Sequence, residues 1–92
     1  MSTTEIIAQG TSEAYSAEFT LTAGDSATIS LTGLTPPAVD RVSVKLQYKS
    51  SAGAWFDFAE LTQIDPIRSI DAAGTFRAKR NACTTAIGVD KA

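Results

Sequence analysis

The chain contains no histidine and a single cysteine, Cys83, in 92 residues. Without histidine there is no imidazole base, no Ser-His-Asp arrangement and none of the usual zinc or haem ligation, and one thiol cannot close an internal disulfide. Cys83 is expected to pack as a small hydrophobe, since no partner base accompanies it, and a reducing compartment such as a bacterial cytoplasm suits it. No apolar run approaches the roughly 18 residues of a membrane helix. The opening MSTTEIIAQG has no basic residue ahead of its short apolar patch, so it does not read as a secretory signal.

Residues 1–40 lack lysine and arginine altogether but hold Glu5, Glu13, Glu18, Asp25 and Asp40; residues 41–92 hold all eight basic residues and the other five carboxylates. The two parts attract. In a two-layer fold this asymmetry is expected to resolve as cross-strand pairing, and it is also what packing between copies would use. The ten carboxylates form no acid–base pair: Asp57 and Glu60 lie three apart on one strand and point to opposite faces. No stretch resembles a calcium loop. No catalytic residue, metal or cofactor is therefore expected, and the chain is not read as an enzyme. The run Arg77, Lys79, Arg80 has no interleaved exposed aromatics in an acidic protein, so it reads as a solvated or partner-facing strand rather than a nucleic-acid site.

Period-two alternation is what the chain does have. In Arg41 to Glu60, RVSVKLQYKSSAGAWFDFAE, Val42, Val44, Leu46 and Tyr48 alternate with Ser43, Lys45, Gln47 and Lys49, the pattern of a strand with one buried and one wet face. A three-residue loop, Ser51-Ala52-Gly53 with Gly53 left-handed, pairs Ser50 with Ala54. Tyr48 then faces Phe56 and Leu46 faces Phe58 on the inner side, while Lys45, Lys49, Trp55 and Asp57 form an outer contact surface. A four-residue loop reverses the parity, and a bulge between Trp55 and Phe58 buries both.

Elsewhere Thr4 to Ala8 reads as a short strand around Ile6 and Ile7, so residues 1–10 form either a flexible arm or an edge strand. Tyr15, Ala17, Phe19 and Leu21 alternate with polar residues as an inward-facing set, and a turn at Ala23-Gly24-Asp25 makes a hairpin with the strand of Ala27, Ile29 and Leu31. Gly33 to Asp40 contains Pro36-Pro37 and reads as a loop crossing between sheets. Leu61 to Pro66 reads as a loop covering one end of the core, followed by a brief strand at Ile67 to Ile70 and a turn at Asp71 to Gly74. In Thr75 to Asn81, Phe76 and Ala78 point inward and Arg77, Lys79 and Asn81 outward. Arg80 breaks this pattern: parity aims it at the core, so it is expected where the strand leaves the sandwich, or paired with Asp71 or Asp90. Ala86 to Val89 forms the final strand and Lys91-Ala92 a loose end. The sum is an all-β chain: one small antiparallel β-sandwich of seven to eight short strands spanning residues 1–92.

The segments YKSSAGAWFDF, GTFRAKR and CTTAIGVDKA resemble small β-sandwich structural proteins of tailed bacteriophages, the kind that decorate or cement capsids. The likeness covers residues 42–92 best. It implies a non-enzymatic virion subunit, assembled in the bacterial host cytoplasm, that binds the major capsid protein or copies of itself, with no nucleic acid or membrane partner. Trp55, Lys49, Lys45, Asp57, Arg77 and Lys79 are the candidate contacts, with Ile6 and Ile7 docking as a strand added to another chain. The alternatives are a glycan-binding module, in which Trp55 stacks on sugar, and a tail or connector subunit.

Overall fold

A computed structural model of the chain describes residues 4–33, 42–83 and 85–92, and among these every regular element is a strand. In chain order they are β1 (Thr4–Gly10), β2 (Ala14–Tyr15), β3 (Phe19–Leu21), β4 (Ala27–Thr32), β5 (Val44–Lys49), β6 (Trp55–Leu61), β7 (Ile67–Ile70), β8 (Gly74–Arg80) and β9 (Ile87–Lys91). One sheet runs β1-β9-β4-β7; the other runs β2-β8-β5-β6, with β3 also pairing with β8. Each pairing is antiparallel. The expected all-β sandwich forms, with nine strands in place of seven or eight. Its smallest dimension of 20 Å is what two sheets stacked about 10 Å apart require once outer side chains are added.

The alternating patterns explain why the core lies between the layers. Ile29, Ile87 and Val89 from the first sheet meet Val44, Leu46 and Leu61 from the second, together with Val42 just ahead of β5, all virtually inaccessible to water. This core is aliphatic, because β-branched and leucine side chains fit a pleated surface facing another sheet. Among the described residues β5 and β6 are the only consecutive strands that pair; at the other steps the chain changes sheet or, between β2 and β3, continues along the same edge. The strands flanking Gly33 to Asp40 do lie in opposite sheets, although residues 34–41 themselves fall outside the described residues.

Several expectations need correcting. β3 and β4 are no hairpin: they belong to different sheets, and the turn between them crosses the sandwich. The alternation from Tyr15 to Leu21 is not one regular strand. Tyr15 pairs with Lys79 but Phe19 with Phe76, so one extra residue intervenes. That shift turns Tyr15 outward and buries Ser16, whose hydroxyl accepts the Ala78 N–H at 2.9 Å. Lys91-Ala92 is no loose end either. Lys91 completes β9, and Ala92 exchanges both backbone hydrogen bonds with Thr28. The segment after β6 closes on itself through Thr62 N–H to Asp65 carbonyl at 3.0 Å and leaves Ile64 88% exposed, so that isoleucine covers no part of the core.

Within the β5–β6 hairpin the loop is as expected. Gly53 has φ of 88°, Ser50 N–H donates to the Ala54 carbonyl at 2.8 Å, and Lys49, Tyr48 and Gln47 face Trp55, Phe56 and Asp57. Further along, Leu46 faces Ala59 rather than Phe58. Phe58 is the extra residue of a bulge. The sequence WFDFAEL demands it: strict alternation from Phe56 and Phe58 would send Glu60 inward and Leu61 outward, and one inserted residue reverses both.

Arg80 does point inward, and it is 4% exposed, but its partners are not carboxylates. Its Nη1 donates to the carbonyls of Ala8 and Ile87, each at 2.7 Å, and its Nε to that of Ser12 at 2.8 Å. The Ala8 carbonyl is available because β1 is irregular between Ile7 and Gly10. Gly88 enables the same irregularity: a Cβ there would stand 2.7 Å from the Ile7 carbonyl oxygen.

Replacing Arg80 with methionine keeps the apolar stem and strands these carbonyls. Urea denaturation is expected to show a loss of about 3 kcal/mol, with little recovery in Arg80→Lys, whose single ammonium cannot reach all three. The turn from β3 to β4 makes a second prediction. The Thr22 hydroxyl, and then its N–H, donate to the Asp25 carboxylate and hold its pKa below the ordinary value. A lowered folded-state pKa stabilises above the unfolded value of about 3.9, and that contribution is lost as pH falls through the lowered one. In an NMR titration, Thr22→Val is expected to move the Asp25 midpoint upward toward the ordinary carboxylate range.

Candidate functional site

The outer face of the second sheet gathers most of the candidate residues. Cross-strand pairing arranges them in three rows: Tyr15, Lys79, Lys45 and Glu60; then Arg77, Gln47 and Asp57; then Thr20, Thr75, Lys49 and Trp55. Thus Trp55, Lys49, Lys45, Asp57, Arg77 and Lys79 do share one surface. Most of their charges find partners within a row or beside it. Lys45 pairs with Glu60 at 3.1 Å and Lys49 with Glu18 at 3.5 Å, while Arg77 donates to Gln47, which donates in turn to Asp57 at 2.8 Å. Of the three ion pairs among the described residues, only Lys49–Glu18 joins the acidic first part of the chain to the basic second part.

Trp55 is half-buried on this face rather than fully exposed. The Arg77 guanidinium lies between two rings, 4.2 Å from the Trp55 centroid and 4.5 Å from that of Tyr15. Lys49 and Lys79 stand farther off, at 5.9 Å from Trp55 and 5.7 Å from Tyr15. Ile6 and Ile7 are elsewhere. They sit on β1, paired with β9 of the same chain; Ile7 is in the core and Ile6 packs against it. Cys83 is half-buried against the core, its thiol 3.1 Å from the Thr85 carbonyl. Among the described residues no group of three His, Cys, Asp or Glu converges in a way that could hold a metal ion.

The inner side of the β5–β6 hairpin holds a second site that the sequence reading assigned to the core. Toward the loop, Tyr48, Phe56 and Phe58 keep inward parity yet are 40%, 57% and 47% exposed. Beside them stand the end of β7 and the turn Asp71 to Ala73. The result is an open groove of about 380 Å³, floored by Phe76. Phe58 meets Phe76 edge-on at 5.7 Å, and Tyr48 meets it tilted at 5.9 Å, so the rings brace one another in the offset arrangements their quadrupoles favour. Exposed aromatic surface of this extent on a small domain marks an interaction site more often than a packing accident. An excess was visible in the sequence, though not its place: the five apolar residues among the seven of WFDFAEL exceed what one inner face of a seven-residue strand can bury.

Comparison with solved structures finds the crystal structure of the SPBc2 prophage-derived protein YomS, 11% identical, with a TM-score of 0.73 over 98% of this chain and 88% of that one. At that identity the likeness is one of fold. No family model matches the chain, and no curated protein matches it.

Removing the guanidinium in Arg77→Ala is expected to open one face of Trp55, with greater acrylamide quenching of its fluorescence and a stability loss of about 1 kcal/mol. Arg77→Lys should recover little of either, since an ammonium does not lie flat on an indole.

Proposed function

We propose that the protein is a non-enzymatic virion structural subunit, a decoration or cement protein that binds the major capsid protein and reinforces the shell. The observation that carries this reading is the aromatic groove at one end of the sandwich, where Tyr48, Phe56 and Phe58 stay exposed although their parity belongs to the core. A subunit of this kind needs a rigid fold and a docking surface rather than reactive groups, and large rings are the usual anchors of such surfaces. The resemblance of YKSSAGAWFDF, GTFRAKR and CTTAIGVDKA to phage decoration proteins supports it, as does a fold shared with a prophage-derived protein. The sugar-binding alternative is weakened by Arg77, whose guanidinium already occupies a face of the Trp55 ring.

Capsids lacking this protein provide the test. The wild-type chain is expected to co-sediment with them to a saturating stoichiometry, and a Phe56→Ser/Phe58→Ser variant to bind at least about tenfold more weakly while remaining folded, because both rings are exposed. A wild-type chain that stays in the supernatant, or saturable quenching of Trp55 by oligosaccharides in its place, would sink the proposal.

A further inference from the structure

We infer that the groove accepts an arginine side chain presented by its protein partner. The inference deepens the reading of this groove as the docking surface, and the partner's chemistry follows from how the chain treats its own aromatic rings. Three of the seven rings carry an internal cation: Tyr15 and Trp55 hold Arg77, with Lys79 and Lys49 farther off, and Phe19 holds Lys91 at 5.5 Å. The other four, Tyr48, Phe56, Phe58 and Phe76, meet in the groove, and no cation among the described residues lies over any of them.

Asp71 is the one charged residue in the groove wall, and it has no ion pair or hydrogen bond to its side chain among the described residues. Ring faces carry the negative part of the aromatic quadrupole, so three exposed rings over the buried Phe76, beside a carboxylate with no partner among the described residues, make a surface whose missing complement is a cation. The chain's own contacts distinguish the two candidate side chains. Its guanidinium approaches ring centroids to 4.2 and 4.5 Å, whereas its ammonium groups remain at 5.5 to 5.9 Å. A guanidinium is planar and weakly hydrated, so it can lie on a ring while its edge N–H groups bond a carboxylate; an ammonium gives up more hydration for a poorer fit. The groove is also open and near the small end of ligand-sized pockets, which suits one long side chain from a passing segment.

Titration with acetyl-arginine amide, read from the aromatic and amide NMR signals, tests this directly. Saturable shifts are expected at Tyr48, Phe56, Phe58 and Asp71, with a dissociation constant on the order of 10 mM. The uncharged acetyl-citrulline amide and the Asp71→Asn variant should each weaken binding about fivefold, and acetyl-lysine amide should bind more weakly than the arginine probe. Absent shifts, shifts confined to Tyr15 and Trp55, or equal binding of the citrulline probe would overturn the inference. Co-sedimentation separates it from the functional reading. If Asp71→Asn binds capsids as the wild type does while Phe56→Ser/Phe58→Ser does not, the docking surface stands and the arginine falls. If the probe binds as expected but the chain never pellets with capsids, the groove chemistry stands and the capsid reading falls.

Discussion

A single buried cation ties the two layers together at one end. Arg80 belongs to β8 of the second sheet, yet all three carbonyls that receive its hydrogen bonds lie outside that sheet: Ala8 on β1, Ile87 at the start of β9 and Ser12 in the connection toward β2. Taking a guanidinium out of water costs several kcal/mol unless its donors are satisfied. Satisfying them dictates local backbone on β1 and β9. β1 must be irregular after Ile7, Gly88 must lack a side chain so that this irregularity can approach, and Gly10 must be small, since a Cβ there would lie 3.0 Å from Arg80 Nη2.

The rest of the interior contains no other buried charge among the described residues, and its most deeply buried large side chains are aliphatic. The aromatic residues are sorted by what they touch. Tyr15 and Trp55 stack on Arg77 on the wet face, Phe76 is buried, and Tyr48, Phe56 and Phe58 remain at the open end. A core of isoleucine, valine and leucine already fills the space between the sheets, so the bulky rings lie at its margins. The bulge at Phe58 makes this division, because it lets the same strand send rings into the groove and Leu61 into the core.

How far the sequence disclosed this structure depended on whether the information was local. The β5–β6 loop was legible because Gly53 and the spacing around it specify a turn, and β7 and β8 because Asp71 to Gly74 separates two clear runs. The outer-face grouping of Lys45, Lys49, Trp55 and Asp57 followed from parity once the three-residue loop set the register. What parity could not disclose was where strands end against the facing sheet: Tyr48, Phe56 and Phe58 have core-like spacing, but nothing in their neighbours says that the opposite layer stops short of them. Two of the irregularities, at Ser16 to Glu18 and at Phe58, each shifted one side chain by a residue and reversed the face of those beyond it. Arg80 was legible in direction but not in partner, because its acceptors are backbone groups from distant segments.

The position of β9 has a consequence for the order in which the fold can be made. β9, the strand farthest from β1 in sequence, lies in the interior of its sheet, with β1 on one side and β4 on the other. The first sheet is therefore split until β9 arrives, and β1 has no neighbour to pair with while the intervening strands are already present. Only the β5–β6 hairpin can close early at small entropic cost. A chain whose β9 has not docked thus carries an unpaired β1 with Ile7 uncovered, which places its greatest exposure to misassociation before β9 docks rather than after.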